Sequence, residues 1–142
     1  MEAQFFGASA ELPSAAIHEC PHGAANSPEV LAWIEELQPT YVVLYGSSVI
    51  KPPLLDRFAG RIINLHLGLS PYYRGGATNF WPLFYRQPQC VGATIHLATA
   101  RIDGGPILAQ VRPAAEASDR VHELGTKTIL AAADLLPDVL QR

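Results

Sequence analysis

The sequence has 142 residues, 49% of them hydrophobic and 16% charged, which is enough for one buried core and too few for two. A formal net charge of −3 offers no electrostatic footprint for a polyphosphate, so this chain alone is not expected to bind nucleic acid. Two cysteines cannot build a disulfide framework, no run approaches the roughly 20 apolar residues of a membrane span, and the amino terminus lacks the basic start and apolar run of a secretory signal, so a cytoplasmic residence is expected.

In chain order, Met1 to Ala25 show neither helical nor strand periodicity and read as a loop-rich lead-in. Asn26-Ser27-Pro28-Glu29 reads as a helix start with Asn26 as the cap, and the helix runs to about Leu37, with Val30, Leu31, Ile34 and Leu37 on one stripe. Pro39 stops it. The run Tyr41-Val42-Val43-Leu44-Tyr45 is apolar throughout, which predicts a parallel strand covered on both faces. A short helical segment around Pro53 to Phe58, ended by Gly60, leads into a second strand, Arg61 to Leu67, and strand, helix, strand is a crossover unit of a doubly wound sheet. After a Gly- and Pro-containing loop, a helix is predicted from near Thr78 past Trp81 to Tyr85. Val91 to Ala98 and Pro106 to Val111 read as strands around a turn at Arg101-Ile102-Asp103-Gly104-Gly105. The last helix should run from Ser118 or Asp119 to Leu136, with Val121, Leu124, Ile129 and Leu135 inward. The expectation is one α/β domain spanning residues 1–142.

The candidate chemistry sits at the end of the second strand. Side chains alternate along a strand, so Asn64 and His66 share a face, at the carboxyl end where open α/β sheets place ligands. An amide donor beside an imidazole can hold a developing oxyanion, and the imidazole can also move a proton. Asp103, in the turn beside the sheet, is placed to orient that imidazole. On spacing alone the pair also reads as an ordinary hydrogen-bonding pair, and Asp-Gly-Gly as a plain turn. His18, Cys20 and His22 alternate with no fourth ligand nearby, so no metal site is assigned.

Two ordered motifs narrow the choice. Ile63-Asn64-Leu65-His66 through Ser70-Pro71-Tyr72-Tyr73-Arg74-Gly75, followed by Gly92-Ala93-Thr94-Ile95-His96 and Asp103-Gly104-Gly105-Pro106-Ile107-Leu108-Ala109-Gln110, resemble the folate-dependent formyltransferase family, which includes methionyl-tRNA formyltransferase and glycinamide ribonucleotide transformylase. The resemblance implies a Rossmann-like fold, a mostly parallel sheet flanked by helices, and transfer of a formyl group from 10-formyltetrahydrofolate to the amine of a small acceptor such as an amino-sugar nucleotide. It implies Asn64, His66 and Asp103 as catalytic residues, with Ser48, Val49, Ile50, Lys51, Leu97, Ala98, Thr99 and Ile102 along the cofactor. Thr94 and His96 are supporting candidates or ordinary cross-strand partners. No metal is called for. Hydrolysis of formyltetrahydrofolate and a non-catalytic folate-binding or assembly role are the alternatives.

The chain departs from the family pattern in two places. Gly68-Leu69-Ser70-Pro71 stands where the family commonly has Ser-Leu-Leu-Pro. The strand-helix-strand unit that opens the family's domain has no counterpart before Asn26, so the reading is of a chain short at its amino end. Such a chain would leave the edge of the Tyr41 to Tyr45 strand unpaired, to be completed by a second copy or by a partner chain. Tyr72-Tyr73 with Phe80-Trp81 either line an acceptor pocket or pack a helix on the sheet. Arg74 either binds an acidic substrate group or pins its loop.

Overall fold

The computed structural model describes residues 17–142. Residues 1–16 of the lead-in expected over Met1 to Ala25 lie outside them. A single 3-10 turn, Ala24–Asn26, precedes helix α1, Pro28–Leu37. The cap is Ser27, whose hydroxyl accepts from the Val30 amide, and not Asn26 as expected. Asn26 reaches across the chain instead: its Nδ2 donates to the Val49 carbonyl at 2.8 Å and its Oδ1 accepts from the Lys51 amide at 2.6 Å. Val30 is buried and Leu31 and Ile34 pack on the core, whereas Leu37, expected on the same stripe, is exposed.

Strand β1, Val42–Leu44, pairs in parallel with β2, Ile62–His66, and the short helix α2, Leu54–Arg57, connects them. Leu54, Leu55, Phe58 and Ile62 form a core cluster with Leu31, Ile34, Val42 and Leu44 around it. An ion pair between Arg57 and Glu35 ties α2 to α1, and the Arg61 guanidinium lies 4.9 Å over the Phe58 ring.

Helix α3 is Trp81–Phe84, shorter than the predicted Thr78 to Tyr85. Thr78 and Asn79 do not start it, because their side chains are committed elsewhere: the Thr78 hydroxyl donates to the Leu67 carbonyl and Asn79 Oδ1 accepts from the Gly92 amide. Strands β3, Ala93–Leu97, and β4, Ile107–Val111, form an antiparallel hairpin with a bulge between Ile95 and His96. Helix α4, Val121–Leu140, then packs on β3 and β4.

The sheet order is β1-β2-β3-β4. The expectation of a mostly parallel sheet needs correction among the described residues: β1 and β2 are parallel, but β2 with β3 and β3 with β4 are antiparallel. The nine residues between β3 and β4 are too few for a parallel crossover, which takes about a dozen or more, so that pair returns antiparallel. The layering is still that of a Rossmann-like α/β domain. One face carries α1 and α2; the other buries Ile63, Leu65, Ala93 and Ile95 against Ala132 and Val139 of α4.

Strand β1 is not covered on both faces, contrary to its uniformly apolar sequence. Val42 and Leu44 pack on the core, but Val43 is 41% exposed, flanked by exposed Tyr41 and Tyr45, because α4 lies across β3 and β4 and does not reach it. Among the described residues β1 is an edge strand, as expected. Helix α4 also differs from the prediction. It runs through Pro137 to bury Val139, so the proline costs one internal hydrogen bond without stopping the helix. Its buried residues are Leu124, Thr128, Ala132 and Val139, whereas Val121 is exposed and Ile129 and Leu135 are half-buried. No helix among the described residues is long and apolar enough to cross a membrane.

Candidate active site

Pleating sends Ile63 and Leu65 of β2 into the core under α4 and turns Asn64 and His66 to the opposite face, beside the turn that follows β3. Asn64 lies directly across from His96 in the antiparallel register. Asp103 completes the group from that turn. Its backbone has φ of +45°, a left-handed conformation that costs a non-glycine residue energy and must be held by its surroundings.

The three residues expected to be catalytic come together. Asn64 Nδ2 donates to Asp103 Oδ1 at 3.0 Å, and His66 Nδ1 lies 3.4 Å from Asp103 Oδ2. The His66 and Asp103 side chains are only 6% and 11% exposed. Asp103 Oδ2 also accepts from the Gly75 amide at 2.9 Å, which fixes the carboxylate between β2 and the loop that follows it. His66 Nε2 faces the Tyr73 carbonyl at 2.9 Å and donates to it, so each ring nitrogen of His66 has an oxygen acceptor.

His96 is an integral part of this group. Its Nδ1 donates to the Leu97 carbonyl at 2.9 Å, which leaves Nε2 to accept from Asn64 Nδ2 at 3.1 Å. Both hydrogens of the Asn64 amide are therefore committed, one to His96 and one to Asp103. Thr94 plays a different part: buried beneath the loop, its hydroxyl donates to the Gly68 carbonyl at 2.7 Å and accepts from the Ser70 amide at 3.0 Å. Partial burial, and then the neighbouring Cys90 and Tyr85, push the Tyr73 phenol above its ordinary pKa, so it remains a donor, here to Gln87 Oε1 at 2.7 Å.

The cluster opens on a cavity of about 700 Å³, within the range of small-molecule sites. Of the residues expected along the cofactor, Ser48, Val49 and Ile50 from the segment after β1, and Ala98, Thr99 and Ile102 from the loop after β3, line it. Lys51 and Leu97 do not. The Lys51 amide is tied back to Asn26, and the Leu97 side chain packs on the core under α4 while its carbonyl holds His96.

Tyr45, Asn79, Gly125 and Ile129 also line the cavity and were not singled out for it by the sequence. Gly125 carried a usable signal, since a glycine inside a 20-residue helix weakens that helix and calls for a reason. A Cβ there would stand in open space at the cavity wall. The aromatic residues Phe80, Trp81, Phe84 and Tyr85 do not line the cavity; they are exposed and pack on one another, Phe80 stacked on Phe84 and Trp81 on Tyr85 with ring centroids 6.0 Å apart in each pair. The ring of His18 stacks on Trp33 at 5.0 Å, and no group of three or more metal-ligating side chains occurs among the described residues.

Comparison with known proteins identifies the family and the fold. The sequence profile of the family described as Formyl transferase matches residues 9–140. A methionyl-tRNA formyltransferase from Finegoldia magna is 31% identical over 117 residues, which make up 81% of this chain and 37% of that protein. Phosphoribosylglycinamide formyltransferase from Bacillus halodurans superposes with a TM-score of 0.70 at 33% identity, over 79% of this chain and 58% of that one. The formyltransferase PseJ from Anoxybacillus kamchatkensis, in complex with UDP-4,6-dideoxy-4-formamido-L-AltNAc and tetrahydrofolate, shares the fold at a TM-score of 0.63 and 24% identity, over 72% of this chain and 56% of that one. The chain thus spans between about a third and three fifths of the length of these relatives. With the profile running from before α1 to the end of α4, and with Asn64, His66 and Asp103 inside the matched region, this chain belongs to the formyl transferase family.

Proposed function

We propose that this chain transfers a formyl group from 10-formyltetrahydrofolate to the amine of a small acceptor, an amino-sugar nucleotide being the acceptor class to test first. The observation that carries the proposal is the meeting of Asn64, His66 and Asp103 at the wall of a cavity of about 700 Å³ whose other walls are largely apolar. Val49, Ile50, Ala98 and Ile102 offer a surface for a flat heteroaromatic ring, and the polar cluster in the same cavity supplies donors for the formyl carbonyl carried on N10.

In this reading the acceptor's neutral amine attacks the formyl carbon. A carbon–nitrogen bond forms, and the carbonyl electron pair moves onto oxygen. Asn64 and His66 donate to that oxyanion, each exchanging one internal acceptor for the substrate oxygen: His66 gives up the Tyr73 carbonyl, and Asn64 gives up His96 Nε2. Asp103 keeps His66 oriented through Nδ1. Collapse of the intermediate breaks the bond to N10 of the folate, and a water carries the proton lost by the amine to that nitrogen. The products are a formamide and tetrahydrofolate.

The test is to incubate the full chain with 10-formyltetrahydrofolate, with and without a panel of amines, and to follow both tetrahydrofolate and formylated amine. Amine-dependent formation of both supports transfer. Release of tetrahydrofolate without an amine shows that water is the acceptor, and binding without release shows a folate-binding module; either result replaces the proposal.

A further inference from the structure

The polar network under the active site contains the Ser70 hydroxyl, which has no part in the chemistry above. Ser70, in the loop after β2, is 5% exposed, does not line the cavity and touches no group assigned to the substrate. Its hydroxyl donates to the backbone carbonyl of Asp103 at 3.0 Å. Its own backbone is held on both sides: the Ser70 amide donates to Thr94 Oγ1 at 3.0 Å, and its carbonyl accepts from Gln110 Nε2 at 2.7 Å. Gln110 Nε2 also donates to Thr94 Oγ1 at 3.0 Å, so the β3 and β4 hairpin holds Ser70 through two side chains.

Asp103 needs such a support. At φ +45° its backbone sits where non-glycine residues are rare, and that conformation sets the direction of a carboxylate that must meet Asn64, His66 and the Gly75 amide together. A bond to its carbonyl opposes rotation of the 103–104 peptide unit. Position 68 is closed to any side chain that might do the same, because a Cβ there would stand 2.5 Å from His66 Nε2 and 2.7 Å from Thr78 Cβ.

We infer that Ser70 is a positioning residue that locks the left-handed backbone of Asp103 and thereby aims its carboxylate at Asn64 and His66. The geometric part stands by itself; the consequence for turnover rests on the formyl-transfer reading. The chain of support runs from Gln110 and Thr94 through Ser70 to the Asp103 backbone.

The experiment compares the full-length chain with Ser70→Ala and Ser70→Thr by two readouts. In Ser70→Ala, the NMR signals of the Gly75 backbone amide and the Asn64 side-chain amide, both bonded to the Asp103 carboxylate, should shift, and Gly75 should lose about tenfold or more of its hydrogen-exchange protection. Turnover should fall on the order of 10²-fold with KM within about twofold, as for a misplaced catalytic group. Ser70→Thr, which keeps a hydroxyl, should restore the amide signals and turnover toward those of the parent. Unchanged Gly75 and Asn64 signals in Ser70→Ala overturn the inference whatever the activity does. If those signals move while Asp103→Asn turns over at the parent rate, the positioning role stands and the catalytic assignment of Asp103 falls.

Discussion

Asn64 and Asp103, 39 residues apart in the chain, are joined by a hydrogen bond of 3.0 Å from amide to carboxylate. Asparagine tolerates left-handed backbone about as well as aspartate does, so Asp103→Asn should keep the turn while removing the charge beside His66. Its amide nitrogen would then face either the Asn64 amide or the Gly75 N–H, so the expected outcome is a melting temperature lower by about 2–8 °C and turnover lower on the order of 10²-fold. A thermal melt run beside a turnover assay checks it.

The turn after β3 sets a stability prediction. A Cβ at Gly105 would fall deep inside the Leu97 carbonyl, which is backbone of the strand and cannot yield, whereas a Cβ at Gly104 would meet only the flexible side chain of Arg101. Gly105→Ala should therefore lower unfolding free energy by about 1–3 kcal/mol, with Gly104→Ala much milder. Urea melts of the two variants measure the contrast.

The start of α4 carries a pH dependence. Two bonds from Lys127 Nζ, at 2.8 and 2.9 Å, and the Glu116 amide hold the Asp119 carboxyl below its ordinary pKa. A carboxyl lowered by folding stabilises the fold above its unfolded pKa of about 3.9, and that contribution disappears as pH falls through the folded value. The Asp119 hydrogen bonds likewise raise the Lys127 ammonium, whose share is present below about pH 10.4 and is lost above it. The difference in melting temperature between the parent and Asp119→Asn should be flat near neutrality and should shrink below about pH 4.

Ile102 is 56% exposed and lines the cavity, so it has little to lose in folding and apolar surface to gain from a bound ring. Ile102→Ala should leave the melt unchanged and weaken tetrahydrofolate binding about tenfold, the effect of roughly 1–2 kcal/mol of lost burial. A fluorescence titration gives the affinity directly.

Most of this arrangement was legible in the sequence because it depends on local rules. The alternation of β2 put Asn64 and His66 on one face, and the Asp-Gly-Gly turn brought Asp103 beside them. What misled was information held elsewhere in the chain. Nothing in Tyr41 to Tyr45 says that α4 stops short of Val43, and nothing in Asn26 says that Ser27 will take the cap and free Asn26 to hold Val49 and Lys51. Pro137 looked like a helix end because the gain from burying Val139 beyond it is tertiary. The cavity wall on α4, Gly125 and Ile129, was hidden for the same reason, since a helix distant in sequence becomes a wall only after packing.

Whether the Asn64, His66 and Asp103 cluster transfers formyl groups is decided by amine-dependent release of tetrahydrofolate, compared between the parent chain and His66→Ala. Release by the parent and a rate lower on the order of 10²-fold in a folded His66→Ala are expected. Equal rates in the two proteins, or amine-dependent release by neither, would contradict transfer by this cluster.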